Sequence, residues 1–228
     1  MAEETTQQQI EWIPKTSIEK AVLNGEIKSI DYILENKLAI KEPEIVDFLV
    51  KDLKVEIINI GKRGGKGGGT QRIPVRSTTK VTASGKRIRY SIMVVVGNEN
   101  GIVGVGRGKS KETRKAYQMA LRRAKMNIIK VWRGCGSWEC SCNEPHSIPY
   151  KTYGSSGSVK VILYPAPRGV GLVCDDESKK ILKLAGLKDV WVKTFGNTAM
   201  RINLAYALIN ALKNLYQYKI WWKILFAN

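Results

Sequence analysis

The sequence predicts an α+β protein of two modules: a basic one built on a three-stranded antiparallel sheet with a helix, then a second of β-α-β type. Three observations carry this expectation. Period-two runs rich in β-branched residues fill positions 78–106, a two-faced helical pattern follows at once, and a strand, turn and helix series starts again at residue 158. At 228 residues with 43% apolar content, the chain is long enough to bury a core in each module.

Charge divides the chain more sharply than hydropathy does. Residues 61–133 hold nineteen Lys or Arg against only Glu99 and Glu112, whereas residues 1–60 are net acidic. A cationic field so concentrated calls for a polyanion, and RNA or DNA is the usual one. It argues against an ordinary metabolic enzyme, and six Trp with nine Tyr argue against a disordered basic tail. The opening MAEETTQQQIEW has neither the build of a secretory signal nor that of a transit peptide, so the expected location is cytoplasmic. No apolar run approaches the roughly 20 residues that span a bilayer.

Taken in order, residues 1–54 read as a helical extension. Thr16 and Ser17 precede a helical run at 18–23, Ser29 precedes one at 30–34, and Glu42-Pro43-Glu44 opens a third at 45–53. The basic module spans 55–133 and starts with a strand at 55–60. Its Gly-rich stretch, 61–69, predicts a flexible arm or loop. Strands follow at 78–82 and 87–96, joined by a Ser84-Gly85-Lys86 turn, and then at 102–106 after a second turn, 97–101. A helix is predicted from 111 to about 131, with Ala116, Ala120, Ala124, Tyr117, Leu121 and Ile128 on one side and Lys111, Arg114, Lys115, Arg122 and Lys125 on another. Three antiparallel strands with one helix across a face, and cations on the helix and the loop leading into it, are the plan of a compact RNA-binding module.

A Cys/His connector occupies 134–157. The C-terminal α/β domain, 158–218, reads as a strand at 158–164, a Pro/Gly turn at 165–171, a strand at 172–174, a helix at 177–185 stopped by Gly186, a strand at 190–194, and a long helix capped by Asn197-Thr198 and running to about 216. Residues 219–228 form an aromatic tail, read as a packing or docking segment.

Two motifs invite chemistry. Gly104-Val105-Gly106-Arg107-Gly108-Lys109-Ser110 ends like a phosphate-binding loop, but position 103, where the leading Gly belongs, is Val, and the third Gly of a dinucleotide fingerprint is missing. Arg107 and Lys109 before a helix still suit an RNA phosphate. Cys135, Cys140, Cys142 and His146 form C-x4-C-x-C-x3-H, a set able to close a structural tetrahedral Zn2+ site with no open position; reduced, unligated cysteines are the alternative. The H-x-E and C-x-x-C elements of a zinc deaminase are absent. Cys174 is most simply a core residue.

In the order of its motifs the chain resembles the universal small-subunit ribosomal protein S-five family, particularly the archaeal and eukaryotic branch. The resemblance rests on Arg87-Ile88-Arg89-Tyr90-Ser91, Val94-Val95-Val96-Gly97-Asn98, Gly101-Ile102-Val103-Gly104-Val105-Gly106-Arg107-Gly108-Lys109 and Ala124-Lys125-Met126-Asn127-Ile128. Further along it rests on Gly134-Cys135-Gly136-Ser137-Trp138-Glu139-Cys140, Glu144-Pro145-His146-Ser147-Ile148-Pro149, residues 165–171, Leu184-Ala185-Gly186 and Asp189-Val190-Trp191. It covers about residues 42–218. The run 61–69 and the tail beyond Tyr218 depart from the family pattern.

The resemblance implies a double-stranded-RNA-binding-like first module and no catalysis. Its implied partners are small-subunit ribosomal RNA and neighbouring small-subunit proteins, with messenger RNA nearby at the channel by which it enters the subunit. It also implies roles in subunit assembly and decoding accuracy. Matched residue by residue, it assigns RNA contacts to Lys86 and Arg87 in a basic loop, to Arg107 and Lys109, and to Arg168 in the second domain. With the helix cations Lys111, Arg114, Lys115, Arg122, Arg123 and Lys125, and with Arg89 and Arg133 from the same basic segment, these are the candidate RNA-binding residues. The cysteine cluster fits the archaeal branch but is not needed by the family as a whole, which favours a structural zinc over a functional one. The competing readings are a zinc-dependent nucleic-acid-modifying enzyme and a free double-stranded RNA-binding regulator.

Overall fold

The computed structural model describes residue 14 and residues 16–36, 38–50, 52–64, 68–142 and 144–225, with side chains through residue 216. Three short helices open it: α1 (Ser17–Leu23), α2 (Ile30–Glu35) and α3 (Glu44–Leu49). Thr16 and Glu19 close a capping box on α1, each side chain accepting from the other's backbone N–H. The N-terminal segment on which the cytoplasmic expectation rests lies outside the described residues.

The first sheet is five-stranded and wholly antiparallel. Strands β1 (Lys54–Ile58), β5 (Gly85–Gly97), β6 (Ile102–Ser110) and β7 (Ile128–Lys130) follow one another across it, and β4 (Arg76–Thr82) pairs with the other end of β5. Helix α4 (Thr113–Met126) lies on one face. The run Ile92 to Val96 is apolar throughout because both faces of the sheet are covered there. Ile92, Val94 and Val96 join α4 and the N-terminal helices, while Met93 and Val95 join the core of the second domain.

Helix α4 reaches the sheet through small residues. Gly104, Gly106 and Gly108 share one face of β6, and a Cβ at each would fall on backbone atoms of Ala124, Ala120 and Ala116 respectively. Residues two apart on a strand and four apart on a helix advance by similar distances, so the two rows stay in step.

In the second domain a four-stranded sheet has the order β10-β11-β9-β8, formed by β8 (Thr152–Ser156), β9 (Val159–Pro165), β10 (Leu172–Val173) and β11 (Val190–Phe195). Helices α5 (Asp176–Leu184) and α6 (Arg201–Leu225) pack their buried side chains against its inner face. Gly154 on β8 lets α6 approach at Ala207 and Ala211, the same device as on β6. The two domains share one hydrophobic core, in which Ile58, Val103 and Val105 meet Leu163, Leu184 and Leu208. The β5–β6 turn adds a polar tie, since Glu99 N–H and Gly101 N–H donate to the carbonyls of Leu184 and Ala185 at the end of α5.

Several expectations need correction. Residues 61–64 are not a flexible arm but strand β2 (Gly61–Gly64), paired with β3 (Thr70–Ile73); residues 65–67 lie outside the description. Gly61 is buried there, where a side chain would strike the Val75 carbonyl. The third helix ends at Leu49, because Val50 is already extended, and not at Leu53. Strand β6 runs on to Ser110, so Arg107 and Lys109 belong to a strand and not to a loop leading into the helix. Helix α4 stops at Met126, and Ile128 to Lys130 cross back as β7; the apolar stripe that seemed to extend the helix serves the sheet instead. The three strands expected for the sheet are β4, β5 and β6; β1, the strand expected at 55–60, and the unexpected β7 join them to make five.

The expected connector, 134–157, contains β8, and its boundary with the second domain falls inside the β8–β9 hairpin. Helix α6 begins at Arg201, after a turn in which the Asn197 carbonyl accepts from Met200 N–H, so Asn197-Thr198 lies outside the helix. It continues to Leu225, making most of the supposed tail a helical extension. The side chains there and residues 226–228 fall outside the description.

Gly106→Ala should lower stability by about 2–3 kcal/mol through overpacking against α4, a fall in melting temperature of roughly 5–10 °C for a chain of this size. Gly64→Ala, where nothing lies within 4 Å, should change it by no more than about 0.5 kcal/mol. Thermal unfolding of both variants checks the pair.

Candidate nucleic-acid interface and metal centre

Register sorts the cations onto faces. Beyond Tyr90, strand β5 has lost β6 and continues with β4 alone, so the two project as a two-stranded ribbon whose residues are largely exposed. Lys80 pairs with Arg87, Thr78 with Arg89 and Arg76 with Ser91; on the other side of β5, Lys109 pairs with Ser91 and Arg107 with Met93. Alternation therefore places Arg76, Lys80, Arg87, Arg89, Arg107 and Lys109 on the face opposite α4. Nearer the core the second domain covers this face through Met93 and Val95. Among the described residues none of the six forms an ion pair: Arg87 and Arg107 donate to the hydroxyls of Ser84 and Ser91, and Arg76 to the thioether of Met200.

Lys86 lies on the other face of the ribbon, toward α4. Lys111, Arg114, Lys115 and Arg122 are exposed on α4 or just before it, Lys115 at 3.2 Å from Glu112. Arg123 donates to the Arg107 carbonyl at 2.7 Å, joining helix to strand. Lys125 is largely buried and lies 2.6 Å from Asp47 of α3; Arg133 donates to Asn100 in the β5–β6 turn. Arg168 is far along the chain from the ribbon, in the second domain, and pairs with Glu144 at 3.2 Å. The acidic N-terminal extension thus neutralises part of the α4 side of the sheet. It does so again at Lys130, held by Asp31 and Glu35 at 2.9 and 3.2 Å. Burial pushes the Lys130 ammonium down, but these two carboxylates outweigh it and its pKa ends above the usual lysine value.

Lys80 and Arg76 were missed as candidates. Both were visible as cations on an alternating strand, but their alignment with Arg87 and Arg89 needs the hairpin register.

The predicted ligands do converge. One donor atom from each of Cys135, Cys140, Cys142 and His146 lies within 4.8 Å of all the others. Cys135 and Cys142 sulfurs are 3.7 Å apart, and Cys140 Sγ is 3.8 Å from His146 Nε2. These match the edge of roughly 3.8 Å that metal–sulfur bonds of about 2.3 Å make in a tetrahedron. Cys140 and Cys142, at 2.9 Å, would have to part to receive an ion. The Cys142 thiol and the backbone N–H groups of Cys142 and Arg168 draw Cys140 down to about 6. The contact with Cys140, with burial added, pushes Cys142 the other way, up to about 11.

His146 is buried, and its Nδ1 lies 2.8 Å from Asp189, which leaves Nε2 facing the thiols. A carboxylate behind a ligating imidazole fixes both ring orientation and tautomer. The other Asp189 oxygen accepts from Gly169 and Gly171, whose φ of 93° and 76° form the Pro/Gly turn, so one carboxylate ties the cysteine loop to the second domain. Cys174 stands apart; burial pushes its thiol up to about 11, in keeping with a protonated side chain packed against the core.

Residues 70–132 match the family model described as Ribosomal protein S5, N-terminal domain, and residues 154–224 match Ribosomal protein S5, C-terminal domain. Similar curated proteins carry the name Small ribosomal subunit protein uS5. The one from Nanoarchaeum equitans is 51% identical over 92% of this chain and 90% of its own. That from Methanocaldococcus jannaschii is 51% identical over 90% and 88%, and that from Staphylothermus marinus 48% over 91% and 90%. With both domain models matched in order and about half of all positions identical along nearly the whole chain, this protein belongs to the ribosomal protein S5 family.

Proposed function

We propose that this chain is a structural constituent of the small ribosomal subunit that binds ribosomal RNA, without catalysis. The observation that carries the reading is the ribbon face, six cations on one side of a sheet and none of them neutralised among the described residues. Such a face fits phosphates along an RNA backbone, with selectivity supplied by RNA shape. The relatives' shared name supports the ribosomal setting and gives no support to an enzyme or a free regulator. No helix among the described residues is long and apolar enough to cross a membrane. The same proposal includes packing against neighbouring small-subunit proteins, roles in assembly and decoding accuracy, and a position near messenger RNA; the family resemblance supports these.

We also propose that Cys135, Cys140, Cys142 and His146 hold one Zn2+. The ion would supply a structural crosslink and no chemistry, since three thiolates and an imidazole fill a tetrahedral shell. Asp189 would hold His146 in place.

In gradient sedimentation of cell extract, the protein should comigrate with small subunits at moderate and at high salt; migration as free protein beside intact subunits would overturn the ribosomal reading. In binding to purified small-subunit RNA, Arg87→Glu with Arg89→Glu should cost at least about ten-fold in affinity and flatten the salt dependence by about two phosphate contacts. Arg122→Glu, on the α4 side, should cost less. For the metal, elemental analysis of purified protein should find roughly one equivalent of zinc, and less than about half would count against the site. Asp189→Asn should weaken zinc retention about 10–100-fold in chelator competition.

A further inference from the structure

The second domain has an open sheet face that nothing above uses. The inner face of the β10-β11-β9-β8 sheet is buried against α5 and α6 through Val159, Val161, Leu163 and Val190. The outer face carries the alternate residues, and register aligns them: Trp191 beside Tyr164, and Ile162 between Lys193 on one side and Tyr153 on the other. Phe195 then pairs with Lys160. Tyr153 on β8 is 69% exposed, and Phe195 and Trp191 on β11, on the far side of β9, are 44% and 40%, large values for aromatic rings on one sheet face. The aligned outer positions include no carboxylate.

The lysines are interleaved with the rings. Lys151 Nζ sits 4.9 Å from the centre of Tyr164, and Lys193 Nζ 5.5 Å from that of Phe195. Both rings therefore present a face that a cation or a flat π-system can cover. Rings lying open on a sheet, with flexible ammonium groups beside them, match what a single strand of RNA offers: bases to stack, and phosphates a short distance away. A protein partner would have to bury Lys151, Lys160 and Lys193 opposite acids of its own, whereas a nucleic acid satisfies rings and lysines together.

We infer that this outer face is a stacking platform for single-stranded RNA, with Tyr153 and Trp191 holding bases and Lys151 and Lys193 moving from the rings to the phosphates. The inference rests on the reading of the chain as an RNA-binding protein but concerns a different surface and a different RNA form. The ribbon face neutralises backbone charge, which duplex and single strand both carry. The aromatic face can act only on bases that are not already paired and stacked.

The test uses the full-length protein and two labelled probes, a single-stranded oligouridylate of roughly ten nucleotides and an RNA hairpin with a fully paired stem. Tyr153→Ala with Trp191→Ala should weaken oligouridylate binding roughly ten-fold or more and leave hairpin binding unchanged. Tyr153→Phe with Trp191→Phe, which keeps the rings, should retain it, and thermal unfolding confirms that each variant is folded. Arg87→Glu with Arg89→Glu should weaken hairpin binding, so the two surfaces succeed or fail separately. Unchanged oligouridylate affinity in the alanine variant would overturn the inference and leave this face to a protein neighbour. Equal loss on both probes would overturn it as well.

Discussion

The close approach of α4 to β6 is the contact on which the rest of the structure depends. Three glycines on one strand face and three alanines along one helix stripe remove every side chain that would hold the two backbones apart. Helix α4 then lies flat on the sheet, and its exposed side carries cations without giving up burial. The same strand turns Val103 and Val105 to the opposite side, where they meet the second domain. A bulkier residue at any of the three glycines would lift the helix and disturb both faces together, because dense interiors transmit displacement. The glycines that resembled a phosphate loop are therefore there to be thin.

Electrostatics follows from this layering. The acidic N-terminal helices fold onto the α4 side, where Asp47, Asp31 and Glu35 reach Lys125 and Lys130. The second domain covers the inner half of the opposite face with apolar side chains. What is left is the outer half, the ribbon of β4 and β5 with the end of β6. Uneven coverage thus turns a broadly basic segment into a directed one, and direction is what a folded RNA with phosphates in fixed places can recognise.

The parts legible in the sequence were those whose signal is local. Alternating β-branched residues marked β4, β5 and the start of β6, the two-faced stripe marked α4, and ligand spacing marked Cys135, Cys140, Cys142 and His146 as a set. Elements defined by a distant partner were not legible. Gly61 to Gly64 has no strand propensity of its own and is a strand because it pairs with β3, with room beside Val75 for no side chain at Gly61. Thr152 to Ser156, with Tyr153 its one large side chain, shows no apolar alternation, and is a strand because Gly154 fits beneath α6. Asp189 lies 43 residues beyond His146, and no spacing rule links a carboxylate to an imidazole across that interval. The outer aromatic face of the second sheet was equally hidden, since its residues come from separate strands and only register puts them side by side.

The turn between β5 and β6 has a consequence for the order of assembly. Glu99, held at a φ of 56°, and Gly101 direct their N–H groups at the last carbonyls of α5, which a helix cannot satisfy within itself. The hairpin emerges during synthesis some eighty residues before that helix does. A domain beginning its life with this turn in place offers the later helix a ready terminus, so the first half of the chain acts as a template on which the second half completes its fold. Neither half is a free-standing module in this sense, and the linear order of translation becomes part of how the architecture is specified.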